Sequence, residues 1–174
     1  KNVFRWKSES KGSFEDKVKA FFNHGHFLGM LEKWILFYVK DDELQKTILR
    51  QHQTRAVFKI VQRCADKVKK TGLIWHTQGS GKTFTMITAA CQILQDKENF
   101  GKATVILMID RNELEGQLSG WVARVFGEMK SHDITIEQAT SKKRLRELLA
   151  SDFRGLIISM IHKFEGISKG ICKR

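Results

Sequence analysis

The chain has 174 residues, of which 41% are hydrophobic and 29% are charged. These proportions predict a globular domain with a sizeable core and exclude a disordered chain. No apolar run approaches the roughly 18 residues that a membrane-spanning helix needs, so we expect no membrane partner. The 31 basic and 19 acidic side chains give a net charge of +12, which favours a polyanionic partner. Three widely spaced cysteines, Cys64, Cys91 and Cys172, indicate reduced thiols in a cytoplasmic protein.

The first third of the chain is predicted to be mostly helical. Ser13 followed by Asp16 resembles a capping box, and apolar residues recur at helical spacing after it. A short strand-like run, ILFYV, occupies residues 35–39, and KDDE at residues 40–43 predicts a polar turn. An amphipathic helix is then predicted from Gln53 onwards.

After residue 70 the pattern alternates between strands and helices. The predicted strands are short apolar runs, and the predicted helices carry apolar residues at helical spacing. The strands are LIWH (73–76), ATVILMI (103–109), ITIEQA (134–139) and GLIISMI (155–161), with helices at 82–95, 114–125 and 145–149. This alternation predicts an α/β fold in which a parallel sheet is covered by helices.

The stretch GLIWHTQGSGKTFTM (72–86) contains a candidate phosphate-binding loop. A predicted strand leads into the loop, and a predicted helix begins directly after it, so backbone N–H groups and the helix N-terminus can receive an anion. The loop consists of Thr77, Gln78, Gly79, Ser80 and Gly81. Its glycines allow close approach of the phosphates, Lys82 can reach the β- and γ-phosphates, and the Thr83 hydroxyl can ligate Mg²⁺. The sequence therefore predicts a nucleoside triphosphate site.

The loop departs from the usual G-x-x-x-x-G-K-[ST] pattern, because His76 stands where the first glycine belongs. We interpret His76 as a packing or loop-orienting residue. In superfamily 2 helicases and translocases, which include DEAH-box-like motors, this position is commonly alanine. The wording WHTQGSGKT resembles the motor and endonuclease (R) subunit of type I restriction-modification enzymes, which belongs to that superfamily. Similar segments are FRWKSES (4–10), RQHQTRAVFKIV (50–61), IDRNELEGQL (109–118) and IISMIHKF (157–164), so the resemblance covers nearly the whole chain.

The resemblance implies a RecA-like P-loop domain preceded by a mostly helical segment. Residues 1–49 would be a helical connector from an upstream nuclease domain, and residues 50–174 the first RecA-like motor domain, ending before the DEAH box. The implied cofactors are ATP and Mg²⁺. The implied partners are double-stranded DNA and the methylation (M) and specificity (S) subunits. In the full subunit, ATP hydrolysis would drive duplex DNA translocation before cleavage, whereas this chain alone is expected to be inactive.

The resemblance also assigns roles to individual residues. Lys82 and Thr83 would be catalytic, with Thr83 binding Mg²⁺ together with ATP, and the loop residues 77–81 would bind the nucleotide. Gln53 would recognise the adenine edge through its amide, whereas the residue alone, without the resemblance, favours a helix cap or a solvent-facing glutamine. The implied DNA-binding residues are Asp110, Arg111, Ser159, His162 and Lys163.

Two alternative functions remain open on the sequence. Asp110 follows an apolar strand, as a Walker B carboxylate does, and in that role it would bind Mg²⁺ in a simpler P-loop ATPase or phosphotransferase. The positive charge also permits a non-catalytic nucleic-acid-binding module, which would bind DNA without dependence on ATP.

Overall fold

The computed structural model describes residues 13–69, 71–110, 112–128 and 134–167. Its helices are α1 (Phe14–Phe21), α2 (His24–Lys33), α3 (Gln51–Ala65), α4 (Lys82–Gln95), α5 (Lys97–Phe100), α6 (Asn112–Glu128), α7 (Lys142–Ala150) and a 3-10 helix (Ile161–Phe164). Its strands are β1 (Ile35–Lys40), β2 (Glu43–Ile48), β3 (Thr104–Ile109), β4 (Ile136–Gln138) and β5 (Gly155–Met160). None of the helices in these ranges is long and apolar enough to cross a bilayer.

The main sheet has three parallel strands in the order β3-β5-β4. The central strand β5 is buried at every residue, which explains why its sequence, GLIISM, is almost wholly apolar. The register aligns Thr104 with Gly155 and Ile136 with Leu156. A Cβ atom at Gly155, where φ is +140°, would collide with the carbonyl oxygen of Thr135, so only glycine fits the start of this strand. The predicted α/β class, with a parallel sheet and flanking helices, is confirmed.

The N-terminal segment contains a β-hairpin that the sequence only partly predicts. Strands β1 and β2 pair antiparallel across a two-residue turn, in which Asp41 and Asp42 have φ values of +54° and +60°. Positive φ at both positions is the requirement of the type I′ turns that suit a hairpin. The predicted capping box is confirmed, since Asp16 N donates to Ser13 Oγ at 3.2 Å and Ser13 N donates to Asp16 Oδ2 at 2.9 Å.

The hairpin belongs to the main hydrophobic core. Buried Leu36 and Leu49 pack in one cluster with Val57 of α3, Ile87 of α4 and Val122 of α6. The segment before residue 50 thus contributes buried side chains to the same core as the helices that follow it.

The prediction of a strand at residues 73–76 is wrong. Residues 71–77 form no regular secondary structure, and the side chains of Leu73 and Trp75 are 84% and 86% exposed. A strand requires a neighbouring backbone to pair with, and no strand of the described residues lies hydrogen-bonded beside this segment. Strand β3 is also less buried than its sequence suggests, since Met108 is exposed.

Candidate nucleotide-binding site

The loop at residues 77–81 is a tight turn that leads into α4. Gly79 and Gly81 have φ values of +74° and +80°, a region that L side chains avoid. Gly81 caps α4, because its carbonyl oxygen accepts the first helical hydrogen bond from Thr85 N at 3.2 Å. Ser80 closes the turn, since its Oγ donates to the carbonyl oxygen of Thr77 at 2.8 Å. The glycines predicted from the motif are thus the residues whose conformation requires glycine.

Two residues at the N-terminus of α3, His52 and Gln53, contact backbone carbonyl oxygens of this loop. The buried Gln53 donates from Nε2 to the carbonyl oxygen of Gly81 at 3.0 Å, and its Oε1 accepts from Arg50 N at 2.8 Å. The adjacent His52 lies with Nε2 3.0 Å from the carbonyl oxygen of Ser80. The Gln53 amide therefore has a protein partner at each of its two polar ends, and each end retains one further hydrogen-bonding position, a second N–H and a second lone pair.

Three aromatic rings fix the helix behind the loop. Phe84 on α4 lies 5.0 Å from Trp121 on α6 and 6.0 Å from Tyr38 on β1, measured between ring centroids. Tyr38 and Trp121 meet edge to face at 5.0 Å. Such pairs add about 0.5–1.5 kcal/mol each beyond the burial of their area. Since Phe84 follows the loop by only three residues, this cluster anchors the first turn of the helix that would face the phosphates.

Helix α4 is enclosed by its neighbours, as its apolar composition predicts. Its middle residues, from Ile87 to Leu94, are buried except for Gln92, which is half-buried. Cys91 lies in this enclosed part, and burial raises the pKa of its thiol to about 12. The helix is consequently a rigid support for the loop rather than an independent surface element.

A cavity of about 430 Å³ lies between the loop and the hairpin. It is lined by Lys46, Thr47 and Ile48 of β2, by Arg50 and Gln53, and by Gly79, Ser80, Gly81 and Phe84. Its volume falls within the range of small-molecule sites. The sequence does not predict that β2 lines this cavity, because it does not predict a strand at β2. The polar turn KDDE directly after a strand-like run was the available signal for a second strand there.

The structure brings the predicted nucleotide-binding residues together. Thr77, Gln78, Gly79 and Lys82 are exposed, Ser80, Gly81 and Thr83 are half-buried, and Gln53 is buried beneath them. The exposed Lys82 side chain and the Thr83 hydroxyl stand at the N-terminus of a 14-residue helix, where the helix dipole favours an anion. The open space around Gly79, with no atom within 4 Å of an added Cβ, leaves room for a ligand against the loop backbone.

The predicted DNA-binding residues are divided between surface and interior. Asp110, directly after β3, and His162, after β5, are exposed near the carboxyl ends of parallel strands. Ser159 is fully buried and donates to the carbonyl oxygen of Met160 at 3.3 Å. Lys163 is only 8% exposed, and its ammonium donates to the carbonyl oxygen of Ala139 at 2.8 Å. Both side chains are therefore buried and hydrogen-bonded to backbone carbonyl oxygens, and their role in DNA binding stays a prediction. Arg111 lies outside the described residues.

The family profile of the SWI2/SNF2 ATPases matches residues 52–173. This range begins at the loop-holding residues of α3 and includes the phosphate loop, α4 and the whole parallel sheet. The chain belongs to the SWI2/SNF2 ATPase family.

The curated relatives that resemble this chain are a more specific group than the family profile. The putative type I restriction enzyme MjaIXP endonuclease subunit of Methanocaldococcus jannaschii is 29% identical over 175 residues, which cover 96% of this chain and 16% of the relative. The type I restriction enzyme HindI endonuclease subunit of Haemophilus influenzae is 29% identical over 164 residues, which cover 87% of this chain and 15% of that relative. The chain thus spans about a sixth of the length of these relatives. The predicted resemblance to type I restriction endonuclease subunits is confirmed, whereas no solved structure matches the chain.

Proposed function

We propose that this chain is the ATP-binding part of the DNA-translocating and DNA-cleaving subunit of a type I restriction enzyme. The observation that carries the proposal is the phosphate loop itself, with glycines at positive φ and its carbonyls held by α3, in a chain of the SWI2/SNF2 ATPase family. Residues 50–174 would form the first RecA-like motor domain, and residues 1–49 would connect it to a nuclease domain. The chain's relatives are themselves named as endonuclease subunits.

The residues of the loop fit a magnesium-bound nucleoside triphosphate. The N–H groups at the start of α4 and the Lys82 ammonium would neutralise phosphate charge, and the Thr83 hydroxyl would hold Mg²⁺. ATP supplies a γ-phosphoryl group whose transfer to water is the source of free energy. The cavity of about 430 Å³ beside the loop, with Arg50 and Gln53 in its wall, is our proposed position for the nucleoside.

Hydrolysis, translocation and cleavage are proposed for a full-length subunit, with methylation and specificity subunits as its partners. A motor that moves along any sequence has to contact phosphates rather than base edges. Asp110 and His162 are exposed beside the ends of β3 and β5, and with Arg111 they remain our candidates for the surface that faces duplex DNA. Ser159 and Lys163 would support that surface from within.

The proposed binding of Mg²⁺ by Thr83 distinguishes this proposal from the Walker B alternative, in which Asp110 binds the ion. The chain is titrated with a fluorescent ATP analogue in the presence of Mg²⁺ and in the presence of EDTA. We expect Mg²⁺ to tighten binding, Thr83→Ala to remove most of that effect, and the exposed control Asp110→Asn to retain it. Loss of the Mg²⁺ effect in Asp110→Asn, with Thr83→Ala unchanged, would instead identify a simpler P-loop ATPase or phosphotransferase. Nucleotide-independent binding of DNA without any binding of ATP would identify a non-catalytic module.

A further inference from the structure

Two consecutive carbonyl groups of the phosphate loop are held by two consecutive residues of α3. The carbonyl oxygen of Ser80 lies 3.0 Å from Nε2 of His52, and that of Gly81 lies 3.0 Å from Nε2 of Gln53. A carbonyl oxygen can only accept a hydrogen bond, so the His52 ring must carry its proton on Nε2. The bond to Ser80 joins residues 28 positions apart in the chain.

These bonds, together with the helical bond from Thr85 N to the Gly81 carbonyl oxygen, orient the N–H groups of Gly81 and Lys82. In a planar trans peptide the C=O and N–H groups point in opposite directions. The carbonyl of Ser80 shares its peptide unit with the N–H of Gly81, and the carbonyl of Gly81 shares its unit with the N–H of Lys82. When both carbonyls point at α3, both N–H groups point away from α3, towards the side on which an anion can approach.

We infer that His52 is a positioning residue of the phosphate loop, which acts by fixing the Ser80–Gly81 peptide through a hydrogen bond from Nε2. This inference rests on the proposed nucleotide-binding function. Its ligand is the polyphosphate group, since the peptide that it orients belongs to the loop rather than to the base cavity. The loss of the bond should weaken polyphosphate binding about three- to tenfold, the range of one net hydrogen bond.

A rival explanation is that the His52 ring serves only to pack against His76. The two rings meet edge to face, with centroids 5.2 Å apart. Two substitutions separate the explanations. His52→Phe keeps a ring and removes the donor, whereas His52→Gln removes the ring and keeps an amide donor of similar reach.

The test measures the affinity of the 174-residue chain for inorganic tripolyphosphate, by competition against a fluorescent ATP analogue. We expect His52→Phe to bind about three- to tenfold more weakly and His52→Gln to bind within about twofold of the wild type. His24→Phe, a matched change at an exposed histidine of α2, should bind like the wild type. A His52→Gln variant that binds as weakly as His52→Phe, or a His52→Phe variant with wild-type affinity, overturns the inference.

The Lys82→Ala variant distinguishes failure of the inference about His52 from failure of the proposed nucleotide-binding function. If the wild type binds and Lys82→Ala does not, the proposed function stands, and the His52 variants decide the inference alone. If the wild type shows no binding, or Lys82→Ala binds equally well, both the proposed function and the inference are overturned.

Discussion

The side-chain nitrogen of Gln53 lies 3.0 Å from the carbonyl oxygen of Gly81, and a Cβ atom added at Gly81 would lie 2.5 Å from that same nitrogen. The hydrogen bond from Gln53 to the Gly81 carbonyl oxygen therefore depends on the absence of a side chain at Gly81, since a Cβ atom there would displace the amide. Gly79 also has a positive φ, but an added Cβ there meets no atom within 4 Å. The two glycines consequently offer a matched pair of substitutions.

We predict that Gly81→Ala destabilises the chain more than Gly79→Ala does. Both variants bear the cost of a left-handed alanine, roughly 1–2 kcal/mol. Gly81→Ala should lose about 1 kcal/mol more, because the added methyl group displaces the Gln53 amide. In a Gln53→Ala background the extra cost should disappear. Urea denaturation of the single and double variants measures these differences, and strictly additive free energies would contradict the predicted contact.

A second prediction concerns the role of Gln53 in nucleotide binding. Since the Gln53 amide holds the carbonyl oxygen of Gly81 in the phosphate loop, we expect Gln53→Ala to weaken the binding of ATP, GTP and tripolyphosphate by similar factors. Recognition of adenine would give a different result, in which only the ratio of the ATP and GTP affinities narrows while tripolyphosphate binding is unchanged. Competition titrations with the three ligands distinguish the two roles.

The buried ammonium of Lys163 leads to a third prediction. Lys163→Met should lower the free energy of unfolding by about 1.5–3 kcal/mol, the usual contribution of a hydrogen bond to a charged group, because the Ala139 carbonyl oxygen loses its donor. The neighbouring control His162→Ala is exposed and should change stability by less than about 0.5 kcal/mol. Equal stabilities of Lys163→Met and the wild type would contradict a structural role for this lysine.

The Cys91 thiol gives a prediction about pH. Its pKa is raised from 9.0 to about 12 by burial, so between these values the unfolded chain binds fewer protons than the folded chain. The free energy of unfolding should therefore fall as pH rises, by at most about 1.4 kcal/mol per pH unit from this group. Denaturation in reducing buffer should show a steeper decline for the wild type than for Cys91→Ala. Parallel declines would show that Cys91 does not titrate differently in the two states.

Local patterns in the sequence predict most of the elements that position the loop. The predicted bounds of α4, residues 82–95, are those observed, since the glycine-lysine junction fixes its start and its apolar residues extend to its end. The alternation of strands and helices correctly predicts a parallel sheet. Strand β2 was missed because ELQKTI presents mostly polar, exposed side chains. The apolar content of residues 73–76 predicts a strand, but it carries no information about a pairing partner.

In the candidate site, too, local sequence patterns predict some features, whereas contacts between distant residues are not predicted. Motif spacing is sufficient to identify the loop and its lysine, because those residues are adjacent in sequence. The contacts of His52 and Gln53 with the loop join residues 28 positions apart, and no local pattern encodes them. The burial of Lys163 in the 3-10 helix is equally absent from the sequence pattern, since lysine is ordinarily a surface residue and it is the Ala139 carbonyl oxygen that its ammonium contacts.

The most direct test of the central claim is calorimetric titration of Mg²⁺-ATP into the wild-type chain and into Lys82→Ala, with Lys59→Ala, an exposed change on α3, as the control. We expect saturable binding at one site, unchanged in Lys59→Ala and at least about tenfold weaker in Lys82→Ala, because a charge-assisted contact to phosphate is lost. The absence of binding to the wild type, or equal affinities in Lys82→Ala and the wild type, would contradict it.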